Sequence, residues 1–129
     1  KDLENIIHPA TRQYQINYIK DCIKKKFAGC ILDIPLLFET RGEKYVDVIV
    51  LVSASEETQR KRILGERQLP IEVFERIKDQ QMPDKEKKEK SDFIISTDQS
   101  IEDTEEEVKL LIDKFKKIKS EAWESQYSK

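Results

Sequence analysis

Three short, mostly apolar runs are the feature of this chain that most restricts its fold. They occupy residues 30–34, 46–52 and 93–96, and the second of them, Val46-Asp47-Val48-Ile49-Val50-Leu51-Val52, is rich in β-branched residues. Such continuous runs are typical of strands that are covered on both faces, whereas strands with one solvated face alternate apolar and polar positions. The runs therefore predict a parallel sheet buried on both faces.

Helical patterns separate the runs. Residues 2–28 are expected to be helical, with Pro9 interrupting the helix or starting a new one and Gly29 ending it. Ser53 or Ser55 is a candidate cap for a helix over residues 56–66, and a short helix is predicted around Phe74. A last helix is predicted behind Ser100-Ile101-Glu102-Asp103, which resembles a capping box. Its apolar stripe comprises Ile101, Val108, Leu111, Ile112, Phe115 and Ile118.

Strands divided by helices indicate the α/β class. A doubly wound sheet usually has about five strands, and this chain offers three and opens on a helix. We therefore expect a three-layer parallel-sheet fold whose N-terminal strands are missing from this chain.

Composition narrows the possible partners. With 24 basic and 26 acidic side chains the net charge is −2, which gives no overall attraction to nucleic acid, so any anion site must be local. Cys22 and Cys30 are too few for a disulfide framework or a zinc site, which favours a reducing cytoplasm. No apolar run approaches the length of a membrane span, and the N-terminus does not resemble a targeting peptide.

The segment Asp33-Ile34-Pro35-Leu36-Leu37-Phe38-Glu39 follows directly on the first predicted strand. Ligands of open α/β sheets bind beyond the carboxyl ends of the strands. Its apolar side chains are therefore interpreted either as the wall of a pocket for a bulky substrate or as an ordinary strand end tucked under a helix.

Two charged stretches carry a similar pair of interpretations. Arg62 and Arg67 can form bidentate hydrogen bonds to phosphate oxygens, or they can belong to a solvated helix face on which they pair with glutamates. The run from Asp84 to Lys90 predicts an exposed helix with ion pairs along its surface, although one of its lysines can still face a phosphate. His8 is the single histidine, for which packing or capping is the default role.

Glycine occurs at positions 29, 42 and 65 alone. The phosphate-binding loop G-x-x-x-x-G-K-[ST] is therefore absent from these 129 residues.

Taken in order, these motifs resemble the dephospho-CoA kinase family. The quoted residues are Leu3-Glu4-x-Ile6-x-His8-Pro9, Leu32 to Glu39, Tyr45-Val46-Asp47, Gln59-x-x-Arg62, Gln81-Met82-Pro83, Lys87 and Ser91-Asp92-Phe93-Ile94-Ile95. The resemblance implies a P-loop kinase that uses ATP, with Mg²⁺, to phosphorylate the 3′-hydroxyl of the dephospho-CoA ribose, the last step of coenzyme A synthesis.

The resemblance also implies roles for individual residues. Arg62 and Lys87 are the phosphate-facing cations of a mobile lid over residues 55–91. By the same resemblance, the residues that bind the nucleotide are Arg62, Arg67 and Thr97. The residues that bind the acceptor substrate are His8, Pro9, Asp33, Pro35, Leu36, Leu37 and Phe38. Residues 1–28 end a helical substrate-binding region, 29–54 are core strands, and 92–129 hold the last strand and the C-terminal helix, all within one partial domain.

Two positions depart from the family pattern, and part of the pattern is missing. Glu66 stands where a second arginine is common, and Thr97-Asp98-Gln99 replaces the Asn-x-Gly near the adenine. The phosphate loop, the Mg²⁺ ligands and the catalytic base belong to the family's N-terminal portion. We therefore expect this chain to be inactive alone. In one version of this hypothesis, the N-terminal half that carries the phosphate loop is a separate chain. The alternatives are a non-catalytic binding or regulatory remnant and a kinase for another nucleotide.

Overall fold

The computed structural model describes residues 2–65 and 70–122, with the backbone alone for residues 2–6 and for His8. The described residues form two compact units, one made of the residues up to Pro35 together with residues 119–122, the other lying within Leu36–Ile118. The described elements, in order, are α1 (Asp2–Lys24), β1 (Val50–Ser53), α2 (Glu56–Gly65), α3 (Ile71–Asp79), α4 (Asp84–Glu89), β2 (Phe93–Ser96) and α5 (Ile101–Phe115), with a 3₁₀ turn at Glu43–Tyr45 before β1.

Strands β1 and β2 form a two-stranded parallel sheet in which Val50 pairs with Phe93 and Ser53 with Ser96. Asp92 lies just ahead of β2, and its carboxylate accepts a hydrogen bond from the backbone N–H of Ile49 at 2.8 Å. The predicted α/β class and parallel pairing are confirmed, although the strand expected over residues 46–52 begins only at Val50.

The strand predicted at residues 30–34 is wrong. No regular structure forms there, and the Ile31 side chain is 85% exposed. An apolar run becomes a strand only where another extended segment takes up its backbone hydrogen bonds, and in the described chain the sheet consists of β1 and β2. Full burial of the remaining strands is also wrong, because Val52 is 62% and Ile94 is 42% exposed. The two strands have too few packed neighbours in this chain to be covered on both faces.

The core of the second unit lies where α5 packs against β2. The Phe93 and Phe115 rings meet edge to face with centroids 5.4 Å apart, and Ile95 and Leu111 are buried. The rest of the predicted α5 stripe is more open, with Ile101 74% exposed. One strand offers α5 too little apolar surface to cover a stripe of that length.

Helix α1 departs from the sequence prediction at two places. It continues through Pro9, because a proline removes one intrahelical hydrogen bond without always ending the helix. It ends at Lys24, before Gly29, because Lys26 takes a left-handed conformation with φ 57°. The N–H of Lys26 bonds the Ile23 carbonyl and that of Phe27 bonds the Cys22 carbonyl, at 2.9 and 3.0 Å. This is the hydrogen-bond pattern of a Schellman ending.

The predicted caps of two helices are confirmed. Ser55 Oγ accepts a hydrogen bond from the N–H of Thr58 at 3.3 Å, so Ser55 and not Ser53 caps α2. Ser100 Oγ accepts from the N–H of Asp103 at 3.0 Å at the start of α5. The short helix around Phe74 is also present as α3. Helices α2 and α5 thus begin where a serine side chain satisfies one of their first N–H groups.

Candidate functional site

The candidate site lies at the carboxyl ends of β1 and β2, where open α/β sheets bind their ligands. Ser53 is the last residue of β1, and its carbonyl accepts the N–H of Thr97 at 2.8 Å. Its buried hydroxyl bonds both carboxylate oxygens of Asp84 at 3.2 Å. Ser53 therefore anchors both the start of α4 and the loop that follows β2.

The Arg62 guanidinium reaches this edge of the sheet from α2. Its Nη1 donates to Thr97 Oγ1 at 3.1 Å, and its Nη2 donates to the Thr97 carbonyl at 2.6 Å. We call Arg62 and Thr97 the Arg62 cluster. A guanidinium has five N–H donors, so two bonds to Thr97 orient the group while leaving donors for a ligand. The Arg62 side chain is exposed.

A surface cavity of about 410 Å³ adjoins the Arg62 cluster. Besides Arg62 and Thr97, its lining includes the first turns of α5, with Ser100, Ile101 and Val108. Cavities of about 300–1,000 Å³ accept small organic ligands. A positively charged group therefore stands at the rim of a partly apolar cavity of suitable size.

Asp98 fixes the helix that carries Arg62. Its carboxylate accepts the N–H of Ser55 at 2.9 and 3.0 Å and the Ser55 hydroxyl at 2.9 Å. Hydrogen bonds from the hydroxyl of Thr58 and then from Ser55 hold the pKa of Asp98 below its ordinary value. At the position where the family has Asn-x-Gly, this chain therefore uses Asp98 to hold the start of α2.

Lys87 lies on α4, and its Nζ is 2.9 Å from Oε1 of Glu39. The same oxygen accepts the N–H of Met82 at 2.9 Å. We call Glu39, Met82 and Lys87 the Lys87 cluster. Burial alone would raise the pKa of Glu39, but hydrogen bonds from Lys87 and Met82 outweigh it, so the pKa of Glu39 lies below its ordinary value.

Leu36, Leu37 and Phe38 form one helical turn directly before Glu39. The N–H of Arg41 bonds the Phe38 carbonyl at 3.1 Å, and the N–H of Gly42 bonds the Leu37 carbonyl at 2.7 Å. Arg41 is left-handed, with φ 56°, so this turn also ends as a Schellman motif. Leu36 is 42% exposed, while Leu37 and Phe38 are half-buried. The turn presents an apolar surface and aims Glu39 at Lys87.

The other predicted site residues are distributed as follows. Pro9, Asp33 and Pro35 are exposed residues of the first unit. His8 belongs to α1, and its side chain lies outside the described atoms, as does the whole of Arg67. Within the second unit, Arg62 donates hydrogen bonds to Thr97. Lys87 pairs with Glu39, which directly follows the Leu36–Phe38 segment.

The sequence interpretation assigns no role to Glu39 or Asp98 and only a possible capping role to Ser53, yet these three residues organise both clusters. The usable signal for Glu39 is an acidic side chain that directly ends an apolar segment. Ser53 and Asp98 carry no comparable signal, because their partners are set by the pairing of β1 with β2.

Within residues 2–65 and 70–122, no three His, Cys, Asp or Glu side chains gather as a metal site. Among the described helices, none has both the length and the apolar character needed to cross a membrane.

Comparison with known proteins places the chain in a family. The family model described as dephospho-CoA kinase matches residues 1–103. The chain belongs to the dephospho-CoA kinase family. That matched range contains both the Arg62 cluster and the Lys87 cluster, so the resemblance seen in the motifs is confirmed.

Curated relatives agree with this family. A dephospho-CoA kinase of Rhodopseudomonas palustris (strain HaA2) is 37% identical over 88% of this chain and 57% of its own length. That of Agrobacterium fabrum is 39% identical over 87% of this chain and 58% of its own. That of Bartonella quintana is 39% identical over 86% of this chain and 57% of its own. The chain thus spans a little over half the length of these relatives. No solved structure matches it.

Proposed function

We propose that this chain is the acceptor-side and lid portion of a dephospho-CoA kinase, which uses ATP to phosphorylate the 3′-hydroxyl of the dephospho-CoA ribose. The observation that carries the proposal is the family match over residues 1–103. Within that range Ser53 bonds Thr97, the partner of Arg62, and also bonds Asp84 at the start of the helix that carries Lys87. A cation at the carboxyl end of a parallel sheet, with a second one on the helix that begins there, suits a reaction whose substrates both carry phosphate.

The reaction joins the ribose 3′-oxygen to the γ-phosphorus of ATP. The bond from that phosphorus to the β,γ-bridging oxygen breaks, ADP leaves, and the hydroxyl proton passes to a base outside this chain. Negative charge spreads over the transferred group, so cations placed beforehand lower the barrier. We assign this role to Arg62 and Lys87, within a lid over residues 55–91 that closes to exclude water.

We assign the binding of dephospho-CoA to the acceptor residues of the family pattern. These are His8, Pro9, Asp33, Pro35, Leu36, Leu37 and Phe38. The Leu36–Phe38 turn supports the assignment, because it leaves apolar surface beside Lys87. Arg62, Arg67 and Thr97 are assigned to the nucleotide, and the cavity beside Arg62 supports the first and the last of these.

A complete kinase needs parts that these 129 residues do not contain. They hold no G-x-x-x-x-G-K-[ST] loop, and backbone amides of such a loop cradle ATP phosphates. We therefore assign the ATP cradle and the Mg²⁺ ligands to a further portion, in the same polypeptide or a separate one, and place the reaction in the cytoplasm without a nucleic-acid or membrane partner. The chain by itself should not transfer phosphate.

Two experiments separate this proposal from its alternatives. An open reading frame upstream that encodes G-x-x-x-x-G-K-[ST] supports a kinase, whereas its absence supports a non-catalytic remnant. Calorimetry is then done on the completed kinase, meaning this chain joined to the part of the Agrobacterium fabrum relative that the match leaves out. Tighter binding of dephospho-CoA than of AMP, CMP or UMP supports the proposal, and the reverse order indicates another nucleotide kinase.

A further inference from the structure

The ion pair between Glu39 and Lys87 differs from the others in the described part of the chain. The Lys87 side chain is 13% exposed and that of Glu39 is 18% exposed. In the ion pairs made by Asp21, Glu56, Glu75, Asp84, Glu106 and Asp113, each side chain is at least 42% exposed. The pair is therefore the one that has given up most of its contact with water.

A desolvated ion pair contributes little net free energy to the stability of a fold. Removing two charges from water offsets much of their attraction, and apolar side chains of the same size often hold a fold equally well. The retention of a charged lysine at this point therefore indicates a use for the charge itself.

The geometry leaves Lys87 able to bind a further group. An ammonium has three N–H donors, and among the described residues its recorded partner is Oε1 of Glu39. Glu39 in turn has spare capacity, because its Oε2 is buried without a hydrogen-bond partner in the described structure. The carboxylate thus holds one side of the ammonium and leaves its other donors unused.

Glu39 also fixes the backbone from which Lys87 projects. Its Oε1 accepts the N–H of Met82, and Pro83 immediately precedes α4. The carbonyl of Pro83 accepts the N–H of Lys87 at 3.1 Å. One carboxylate therefore constrains both the Lys87 ammonium and the turn that sets the direction of α4.

We propose that Glu39 is the positioning residue for Lys87, holding its ammonium where it contacts the transferred phosphoryl group. Because Glu39 directly follows Phe38 in the same turn, it also couples the acceptor surface to the lid cation. This role rests on the proposed function, and Glu39 itself does not touch the reacting atoms.

A double-mutant cycle in the completed kinase tests this role. Glu39→Gln keeps the size of the side chain and removes its charge, and a misplaced catalytic group lowers kcat by about 100-fold. We expect this loss in kcat with little change in the KM for ATP. Lys87→Met should cause a similar loss, and the double variant should be no slower than Lys87→Met. Controls are Glu43→Gln and Lys88→Met, which change exposed neighbours of the same kind and should leave kcat unchanged.

The possible outcomes separate the role of Glu39 from the function on which it rests. Losses that multiply in the double variant, or a Glu39→Gln effect on KM alone, overturn the positioning role while the kinase assignment stands. A wild-type completed kinase that folds and forms no coenzyme A overturns both. Urea unfolding verifies that each variant is folded, and Glu39→Asp replaces Glu39→Gln in the cycle if the latter does not fold. NMR supplies a direct readout: the Lys87 ammonium signal should be protected from exchange in the wild type and lost in Glu39→Gln.

Discussion

Oε1 of Glu39 lies 2.9 Å from Nζ of Lys87, and this contact joins the apolar turn at Leu36–Phe38 to helix α4. Arg62 reaches the same end of the sheet through its two hydrogen bonds to Thr97. Both contacts depend on Ser53, which binds Asp84 through its hydroxyl and Thr97 through its carbonyl. The end of β1 thus organises the two cations that the proposed reaction requires.

The stability that Glu39 contributes should depend on pH. Its pKa is lower in the folded chain than its ordinary value, so its contribution is fully present above about pH 4.3 and is lost as pH falls through the folded pKa. At pH 7, Glu39→Gln should lower the free energy of unfolding by about 2 kcal/mol, the size of a hydrogen bond to a charged group. Urea unfolding at pH 7 and pH 3 measures the difference.

As the pH is lowered from 7, the wild type and Glu39→Gln should approach each other in stability, because the contribution of Glu39 is lost as the pH falls through its folded pKa. Glu43→Gln is the matched control, because Glu43 is exposed and has no recorded ion pair in the described structure. A Glu39→Gln effect that grows as the pH falls contradicts the lowered pKa.

Arg62 and Arg60 lie on the same helix and should differ sharply in function. Arg62 faces Thr97, whereas Arg60 pairs with Glu75 at 2.8 Å. In the completed kinase, Arg62→Gln should reduce kcat by about 100-fold or more, as expected when one group that stabilises transition-state charge is removed. Arg60→Gln should change kcat by less than about 3-fold, because an exposed ion pair contributes little. Equal losses would show that overall charge matters and not the position of Arg62.

The sequence predicts those features that depend on near neighbours in the chain. Ser100 caps α5 through Asp103, three residues away, and the β-branched run indicates β1 directly. Residues 30–34 have the same apolar pattern and form no strand, because strand formation also needs a partner. The bond from Glu39 to Lys87 has no local signature at all. It depends on the placement of α4, which Ser53 anchors through Asp84, so the partner of Glu39 becomes visible only in the structure.

Gly42 should be intolerant of a side chain. A Cβ at this position would lie 2.8 Å from Leu37 Cδ1 and 3.3 Å from the Leu37 carbonyl oxygen. Gly42→Ala should therefore lower the free energy of unfolding by about 1 kcal/mol, as overpacking does. Gly65→Ala is the control, because nothing lies within 4 Å of its added Cβ, and it should raise stability by about 0.5 kcal/mol within α2. Chemical unfolding measures the stability of both variants. A change of stability in the same direction for Gly42→Ala and Gly65→Ala would contradict the prediction.

Substitution by glycine should have opposite effects on stability at Lys26 and at Lys24. Lys26 has a left-handed backbone, with φ 57°, which a residue with a Cβ adopts at a cost of about 1 kcal/mol. Lys26→Gly should therefore stabilise the end of α1 by about that amount. Lys24 is the last residue of α1, so Lys24→Gly should destabilise the helix by about 0.5–1 kcal/mol. Thermal unfolding followed by circular dichroism distinguishes the two, and a loss of stability in Lys26→Gly would contradict the Schellman ending.

Formation of coenzyme A from ATP and dephospho-CoA tests the central claim most directly. The assay compares three proteins: the 129-residue chain, the completed kinase, and the completed kinase with Arg62→Gln. We predict no product from the chain alone, sustained turnover by the completed kinase, and loss of nearly all turnover with Arg62→Gln. Turnover by the chain alone, or a folded completed kinase that phosphorylates a nucleoside monophosphate in place of dephospho-CoA, would contradict the account.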